Sequence, residues 1–74
     1  MDDQQDKKAI LEMAEKIKAV RLNKGLLQTD VAKKAGLNSN FYAKVERGEA
    51  KPSGVTLTKI IKALGVKSSD ILSV

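Results

Sequence analysis

The groups that could do chemistry in this chain are hydroxyls, carboxamides, carboxylates and cations, because its 74 residues include no cysteine and no histidine. Disulfides, thiol nucleophiles, imidazole bases and the usual soft metal ligands are therefore excluded. Asp2, Asp3 and Asp6 lie close in sequence, but they lack the glycine turn and closing glutamate of a calcium loop. We expect no enzyme activity, no cofactor and no metal, and we interpret these carboxylates as a solvated terminus.

One group of side chains near the middle of the chain suits hydrogen bonding to a flat partner. Ser39, Asn40, Ala43 and Lys44 are small, polar or cationic, and they recur at the spacing of one helix face. Such a face can bond the edges of nucleobases, and its small side chains would let the helix enter a major groove about 12 Å wide. A helix with only a structural role would not need this pattern.

The charge of the chain favours the same kind of partner. The net charge is +5, and the segment from Lys16 to Lys67 holds twelve basic residues against three acidic ones. Such an excess favours a polyanion, although a solvated lysine-rich surface would explain the count equally well. The apolar stretches are short and the start is polar, so we expect a cytoplasmic protein with no membrane partner.

The apolar periodicity predicts an all-α fold, a compact bundle of five helices in one domain. The expected helices run from about Asp6 to Lys24, Gln28 to Lys34, Ser39 to Arg47, from near Val55 to Leu64, and over a short segment holding Ile71 and Leu72. Glycines end the first four, Asn38 caps the third, and Ser68 or Ser69 caps the last. Residues 1–9 form a polar segment that partly extends the first helix, residues 10–74 form the domain, and residues 49–54, with Pro52, form an exposed connection.

Residues 28–47 have the spacing of a helix-turn-helix. Two short helices flank the turn Ala35, Gly36 and Leu37, in which the glycine permits a sharp bend. Ala32 is small where the two helices must cross. The inward side of the second of these helices would carry Phe41, Tyr42 and Val45. An alternative interpretation, in which Phe41 and Tyr42 stack on bases of single-stranded nucleic acid, is less consistent with their place inside a helix.

The stretches IKAVRLNKGLLQTDVAKKAGL, VERGEAKPS and TLTKIIKALGV resemble the lambda-repressor-like helix-turn-helix proteins of phages and bacteria, of the Cro/C1 or xenobiotic-response-element type. The similarity runs without a gap from about Met13 to Leu72. It implies a DNA-binding domain in which one set of residues faces base edges, namely Ser39, Asn40, Ala43 and Lys44. It also implies a second set that contacts phosphates, namely Gln28, Asn38, Arg47 and Lys51, and a structural ion pair between Arg21 and Glu46. Lys33 and Lys34 could also approach DNA, but solvation is the more common state of that face.

Three residues depart from the pattern of the family that the chain resembles. Leu27 stands where a serine or threonine usually caps the second helix, so that helix loses a cap that Thr29 or Asp30 can replace only in part. Tyr42 replaces an aliphatic core residue, and its hydroxyl needs a hydrogen-bond partner or a path to the surface. Gly54 replaces an apolar residue, which should fray the start of the fourth helix.

The resemblance implies a sequence-specific regulator that occupies an operator in double-stranded DNA, as a repressor or as an activator that touches RNA polymerase. A single small domain buries little surface, so we expect a homodimer on two half-sites about 34 Å apart. Its seam would use Ile71, Leu72 and Val74, with Ile10 and Leu11. A prophage Cro/C1-like regulator, a restriction-modification controller and an antitoxin with a cognate toxin all fit. The alternative is a protein-interaction module that keeps the fold without binding DNA.

Overall fold

The computed structural model describes residues 3–72, and the side chains of residues 6–72. Within that range the chain forms five helices and no strand, in agreement with the all-α prediction. The helices are α1 (Asp3–Asn23), α2 (Gln28–Ala35), α3 (Ser39–Glu46), α4 (Gly54–Leu64) and α5 (Ser68–Ile71). None of them is long and apolar enough to cross a membrane. Asp2 and Val74, to which the sequence analysis gave roles, and the side chain of Asp3 lie outside the described part.

The bend between α2 and α3 follows from one glycine and one asparagine. Gly36 adopts φ +69°, a left-handed conformation that a residue with a side chain rarely adopts. The next amide, that of Leu37, donates to the carbonyl of Ala32 at 2.8 Å and closes the end of α2. Asn38 then caps α3, since its Oδ1 accepts hydrogen bonds from the amides of Asn40 at 2.8 Å and Phe41 at 3.2 Å. The predicted turn and cap are both present.

The starts of α2 and α5 lack a side-chain cap of the usual kind. Leu27 precedes α2 and cannot accept a hydrogen bond, but the carboxylate of Asp30 accepts one from the Leu27 amide at 2.8 Å. The same arrangement opens α5, where Asp70 accepts from the amide of Lys67 at 2.9 Å. The prediction that Ser68 or Ser69 caps the last helix was therefore wrong: α5 already begins at Ser68.

The start of α4 lies one residue before the predicted position near Val55, but the expected fraying is absent. Gly54 lies in the first turn of the helix and does not fray it, because the hydroxyl of Ser53 accepts a hydrogen bond from the amide of Thr56 at 3.2 Å. Pro52, expected in an exposed connection, is buried. The segment between α3 and α4 is thus anchored by the burial of Pro52 and by the cap at Ser53. These two features fix where α4 begins.

One hydrophobic core lies between the helices. α2 packs against α3 and α4, while α1 packs against α3 and α5. Ala32 is fully buried where α2 meets its neighbours, as its small size predicts. The largest fully buried side chains come from all five helices: Ile17, Val31, Tyr42, Val45, Ile60, Leu64 and Ile71. Burial of Ile71 corrects one expectation, because a side chain that is 1% exposed cannot form the seam of a dimer.

Candidate nucleic-acid interface

The exposed face of α3 carries the side chains that the sequence analysis assigned to base edges. Ser39, Asn40 and Lys44 are exposed, and Ala43 is half-buried beside them. The opposite face of the helix carries Tyr42, Val45 and Glu46, all of them buried. Because inward and outward positions alternate with the helical period, the burial of one set forces the other into solvent.

The outward face is shaped for close approach to a flat or grooved partner. Asn40 and Lys44 are one helical turn apart and so project from the same side of α3. The neighbouring positions hold only a hydroxymethyl group at Ser39 and a methyl group at Ala43. An α-helix with side chains is about 10–12 Å across, which matches the width of the major groove of B-form DNA.

A buried ion pair fixes the orientation of α3. Arg21 of α1 donates from Nε to Oε2 of Glu46 at 2.6 Å and from Nη2 to Oε1 at 3.0 Å. Its remaining terminal nitrogen donates to the carbonyl of Leu26 at 2.9 Å. The side chains of the two ions are only 9% and 1% exposed. Two-pronged geometry allows little rotation, so α3 cannot turn about its axis without breaking both bonds.

The first residue of α2 joins the same network. Gln28 donates from Nε2 to Oε1 of Glu46 at 3.1 Å. Glu46 is therefore bonded to both α1 and α2, although it belongs to α3. By resemblance Gln28 was expected to meet a phosphate and to brace the recognition-helix side chains; in the structure its amide braces the end of α3.

Glu46 stays ionised in this network. Burial would raise its pKa, but the hydrogen bonds from Arg21 and Gln28, together with the nearby hydroxyl of Tyr42, outweigh that effect and hold the pKa below its ordinary value. The hydrogen bond to Glu46 raises the pKa of Arg21 in turn. The pair is thus fully charged at neutral pH, and its two charges compensate each other inside the core.

Tyr42 is fully buried next to the ion pair. Burial raises the pKa of its hydroxyl, and the nearby Glu46 carboxylate adds to the effect, so the group is neutral. Within the described residues the hydroxyl has no hydrogen bond of regular geometry, although it faces the charges of Arg21 and Glu46. The hydrogen-bond partner that the sequence led us to expect for this hydroxyl is replaced by its electrostatic contact with these two charged side chains. Its burial, and the packing of Phe41 against the core, leave no stacking platform on α3.

Three of the residues expected at phosphates flank α3: Asn38 precedes it, Arg47 ends it, and Lys51 lies in the connection that follows. The side-chain oxygen of Asn38 is occupied by its capping bonds. Lys51 is exposed. Arg47 is exposed too, but its Nε donates to Glu49 at 2.8 Å, and both side chains are about half exposed. The hydrogen bond from Arg47 lowers the pKa of Glu49, so this carboxylate is charged at neutral pH and competes with any phosphate for Arg47.

Two contacts of the site escaped the sequence analysis. The bond between Gln28 and Glu46 joins residues 18 positions apart, and no local pattern announces such a contact. The pairing of Arg47 with Glu49 had a visible signal, since the two residues are two positions apart around Gly48. Lys33 and Lys34, considered as further contacts, are exposed and line a groove between α2 and α4.

The fold and the exposed face of α3 define a helix-turn-helix protein of the lambda-repressor-like class. The family model for helix-turn-helix domains matches residues 17–71. The chain is 37% identical over 60 residues to the immunity repressor protein of Bacillus phage phi105, which covers 81% of this chain and 42% of that protein's length. It is 39% identical over 59 residues to an uncharacterized helix-turn-helix transcriptional regulator of Methanocaldococcus jannaschii, covering 80% and 89% of the two chains.

A solved structure is similar over almost its whole length. The restriction-modification controller protein C.AhdI from Aeromonas hydrophila superimposes with a TM-score of 0.82 at 27% identity, covering 85% of this chain and 96% of that chain. The chain belongs to the helix-turn-helix family of the Cro/C1 type.

Proposed function

We propose that this protein is a sequence-specific transcriptional regulator that inserts α3 into the major groove of duplex DNA. The observation that carries the proposal is the network around Glu46, which fixes the inward face of α3 and so holds Asn40 and Lys44 outward. The family membership and the regulatory names of the relatives support it.

Each outward residue has a base partner that suits its chemistry. The ammonium of Lys44 fits the O6 and N7 acceptors of guanine, and the carboxamide of Asn40 can bond adenine with two hydrogen bonds. The hydroxyl of Ser39 bonds a base or a phosphate, and the methyl group of Ala43 can touch a thymine methyl. Asn40 and Lys44 carry most of the specificity, because the other two side chains are too short to reach far.

A second group of residues positions the domain on the phosphate backbone without reading sequence. These are Gln28, Asn38, Arg47 and Lys51. Gln28 and Asn38 each keep side-chain donor capacity after the bonds described above, because a carboxamide nitrogen has two hydrogens. Arg47 must exchange Glu49 for a phosphate, and the resulting bond is again charge-assisted.

The regulator acts as a homodimer on a two-fold symmetric operator. One domain of this size buries too little surface for tight operator binding, and two recognition helices about 34 Å apart engage successive major grooves on one face of the duplex. Occupancy of a promoter by such a dimer represses transcription, the role named for the phage phi105 relative; a restriction-modification controller is the second form that the similar structure favours.

Selection of bound fragments from a pool of random duplexes tests the proposal. We expect the wild-type chain to enrich one shared sequence with two-fold symmetry. The double variant Asn40→Ala with Lys44→Ala should fold normally, since both side chains are exposed, and should enrich no sequence. A wild-type pool without a common duplex sequence would contradict the proposal and would favour the protein-interaction module, whose binding lacks the steep salt dependence of phosphate contacts.

A further inference from the structure

The outer side of α1 carries two large apolar side chains that lie outside the core. Leu11 and Leu22 are 49% and 57% exposed, although large apolar side chains are costly to leave in water. Glu15 and Lys18 lie between them and are exposed as well. The four positions, spaced by four, three and four residues, follow one side of the helix, as in the contact seam of a coiled coil. We call these four residues the α1 stripe.

The α1 stripe is complementary to the same stripe of a second copy when the two helices run in opposite directions. If a second copy lies antiparallel with a two-fold axis between residues 16 and 17, Leu11 of one copy meets Leu22 of the other. In the same register Glu15 meets Lys18 of the other copy. Each contact occurs twice by symmetry, so apolar groups face apolar groups and opposite charges face each other. A parallel arrangement in register would instead place Glu15 against Glu15 and Lys18 against Lys18.

The charged residues of the α1 stripe are available for such a contact. Among the side chains of residues 6–72, those of Glu15 and Lys18 make no hydrogen bond or ion pair, and both extend from the middle of a 21-residue helix. Leu11 packs over Gly48, where the absence of a side chain makes room for it: a Cβ atom there would clash with the leucine.

We propose that the α1 stripe is a homotypic interface at which a second copy of this chain docks antiparallel. Two leucines and two charges per copy cover less than the roughly 800 Å² per partner of a standard interface, so the contact is weak in free solution. On DNA, neighbouring copies are held together and their effective concentration is far higher, which makes a weak contact effective. In this role the inference rests on the proposed function, but the interface itself is a property of the free protein.

Charge exchange at the α1 stripe tests the interface by sedimentation equilibrium of the full chain over a range of concentrations at low ionic strength. Glu15→Lys alone places two ammonium groups opposite each other, and Lys18→Glu alone places two carboxylates opposite each other. Each single variant should associate more weakly than the wild type. The double variant Glu15→Lys with Lys18→Glu should recover association, and so should an equimolar mixture of the two single variants.

Two substitutions of exposed apolar residues, one inside the stripe and one outside it, provide a second test with a matched control. Leu22→Ala should weaken association, whereas Val55→Ala removes an even more exposed apolar side chain (69% exposed) outside the stripe and should not. Thermal unfolding by circular dichroism should show that all variants fold. The inference is overturned if the wild type stays monomeric up to about 1 mM, if the single charge variants associate like the wild type, or if their mixture does not recover. The selection from duplex pools tests DNA binding independently of this interface. Failure of the α1 stripe to mediate association can therefore be distinguished from failure of DNA binding.

Discussion

At the scale of single residues, Glu46 links three of the helices through its hydrogen bonds. Its carboxylate accepts hydrogen bonds from Arg21 on α1 and from Gln28 on α2, and it is itself the last residue of α3. A buried ion pair adds little net stability compared with apolar residues, but the loss of one partner leaves an uncompensated charge in the core. The value of this pair therefore lies in fixing the geometry of three helices, and the stability of the fold depends on keeping both partners.

A double-mutant cycle on Arg21 and Glu46 measures this dependence. We expect Arg21→Met and Glu46→Gln each to lower the free energy of unfolding by roughly 3 to 5 kcal/mol, because each leaves the other partner buried without its counter-ion. The double variant should lose clearly less than the sum of the two single losses. Urea unfolding at neutral pH gives the three differences, and additive losses would contradict the coupling.

The same cycle has a pH signature. Because folding lowers the pKa of Glu46 from its ordinary value of 4.5, its contribution is complete above that pH and is lost as the pH falls through the folded pKa. The stability difference between the wild type and Glu46→Gln should therefore be constant at neutral pH and shrink on acidification below about 4.5. A difference that stays unchanged into strong acid would show that Glu46 is not held ionised.

Glu49 is a second residue with a measurable effect, this time on binding. It occupies the guanidinium of Arg47, and its carboxylate is also close enough to Lys44 for the ammonium to lower its pKa. We expect Glu49→Gln to bind duplex DNA more tightly at low salt, because it frees Arg47 and removes a negative charge from the interface. The gain should diminish as salt rises, since exposed charges are screened over about 10 Å at 0.1 M. Weaker binding in a fluorescence-anisotropy titration would contradict this account of Arg47.

At the scale of elements, the starts of the helices show what a local pattern can predict. The cap of α3 was evident from the sequence because Asn38 is a good acceptor beside an apolar periodic segment. The start of α4 was placed within one residue, but its Ser53 cap was not predicted and the cap of α5 was predicted wrongly. Which of several neighbouring small polar residues becomes the cap depends on the packing of the preceding chain. Burial of Pro52 sets that chain before α4, and no periodicity encodes it.

The uncapped start of α2 leads to a prediction for this element. Asp30 already accepts a hydrogen bond from the Leu27 amide, so Leu27→Ser would add the reciprocal bond to the amide of Asp30 and complete a capping box. Leu27 is 65% exposed, so little apolar burial is lost. We expect a gain of about 1 kcal/mol, or about 4–8 °C in Tm for a domain of this size. Leu27→Ala is the control, and an equal gain in that variant would contradict a capping effect.

At the scale of the whole molecule, the sequence predicted the fold class and the face of α3 because both depend on local periodicity and on glycine stops. It predicted less well what depends on contacts between distant segments. Ile71 was assigned to a dimer seam, but α1 packs against α5 and buries it. The bond from Gln28 to Glu46 joins two helices and is likewise invisible to a local pattern.

Lys44 also lies apart from a group of five lysines elsewhere on the surface. Lys44 lies on the outward face of α3, while a second set surrounds the groove between α2 and α4: Lys24, Lys33, Lys34, Lys59 and Lys62. Both sets contribute to the positive charge that attracts DNA from a distance. In the proposed function only Lys44 reads a sequence, so a substitution of Lys44 and one in the groove distinguish recognition from long-range attraction.

The most direct test compares Lys44→Ala with Lys59→Ala on the selected operator and on all of its single-base variants. For Lys44→Ala we expect the preference at one base-pair position of each half-site to disappear, at a cost of about 1 to 3 kcal/mol, while preferences elsewhere remain. For Lys59→Ala we expect the whole pattern of preferences to stay as in the wild type. If Lys44→Ala weakened binding to every duplex equally and left each preference intact, the outward face of α3 would not be the surface that reads DNA.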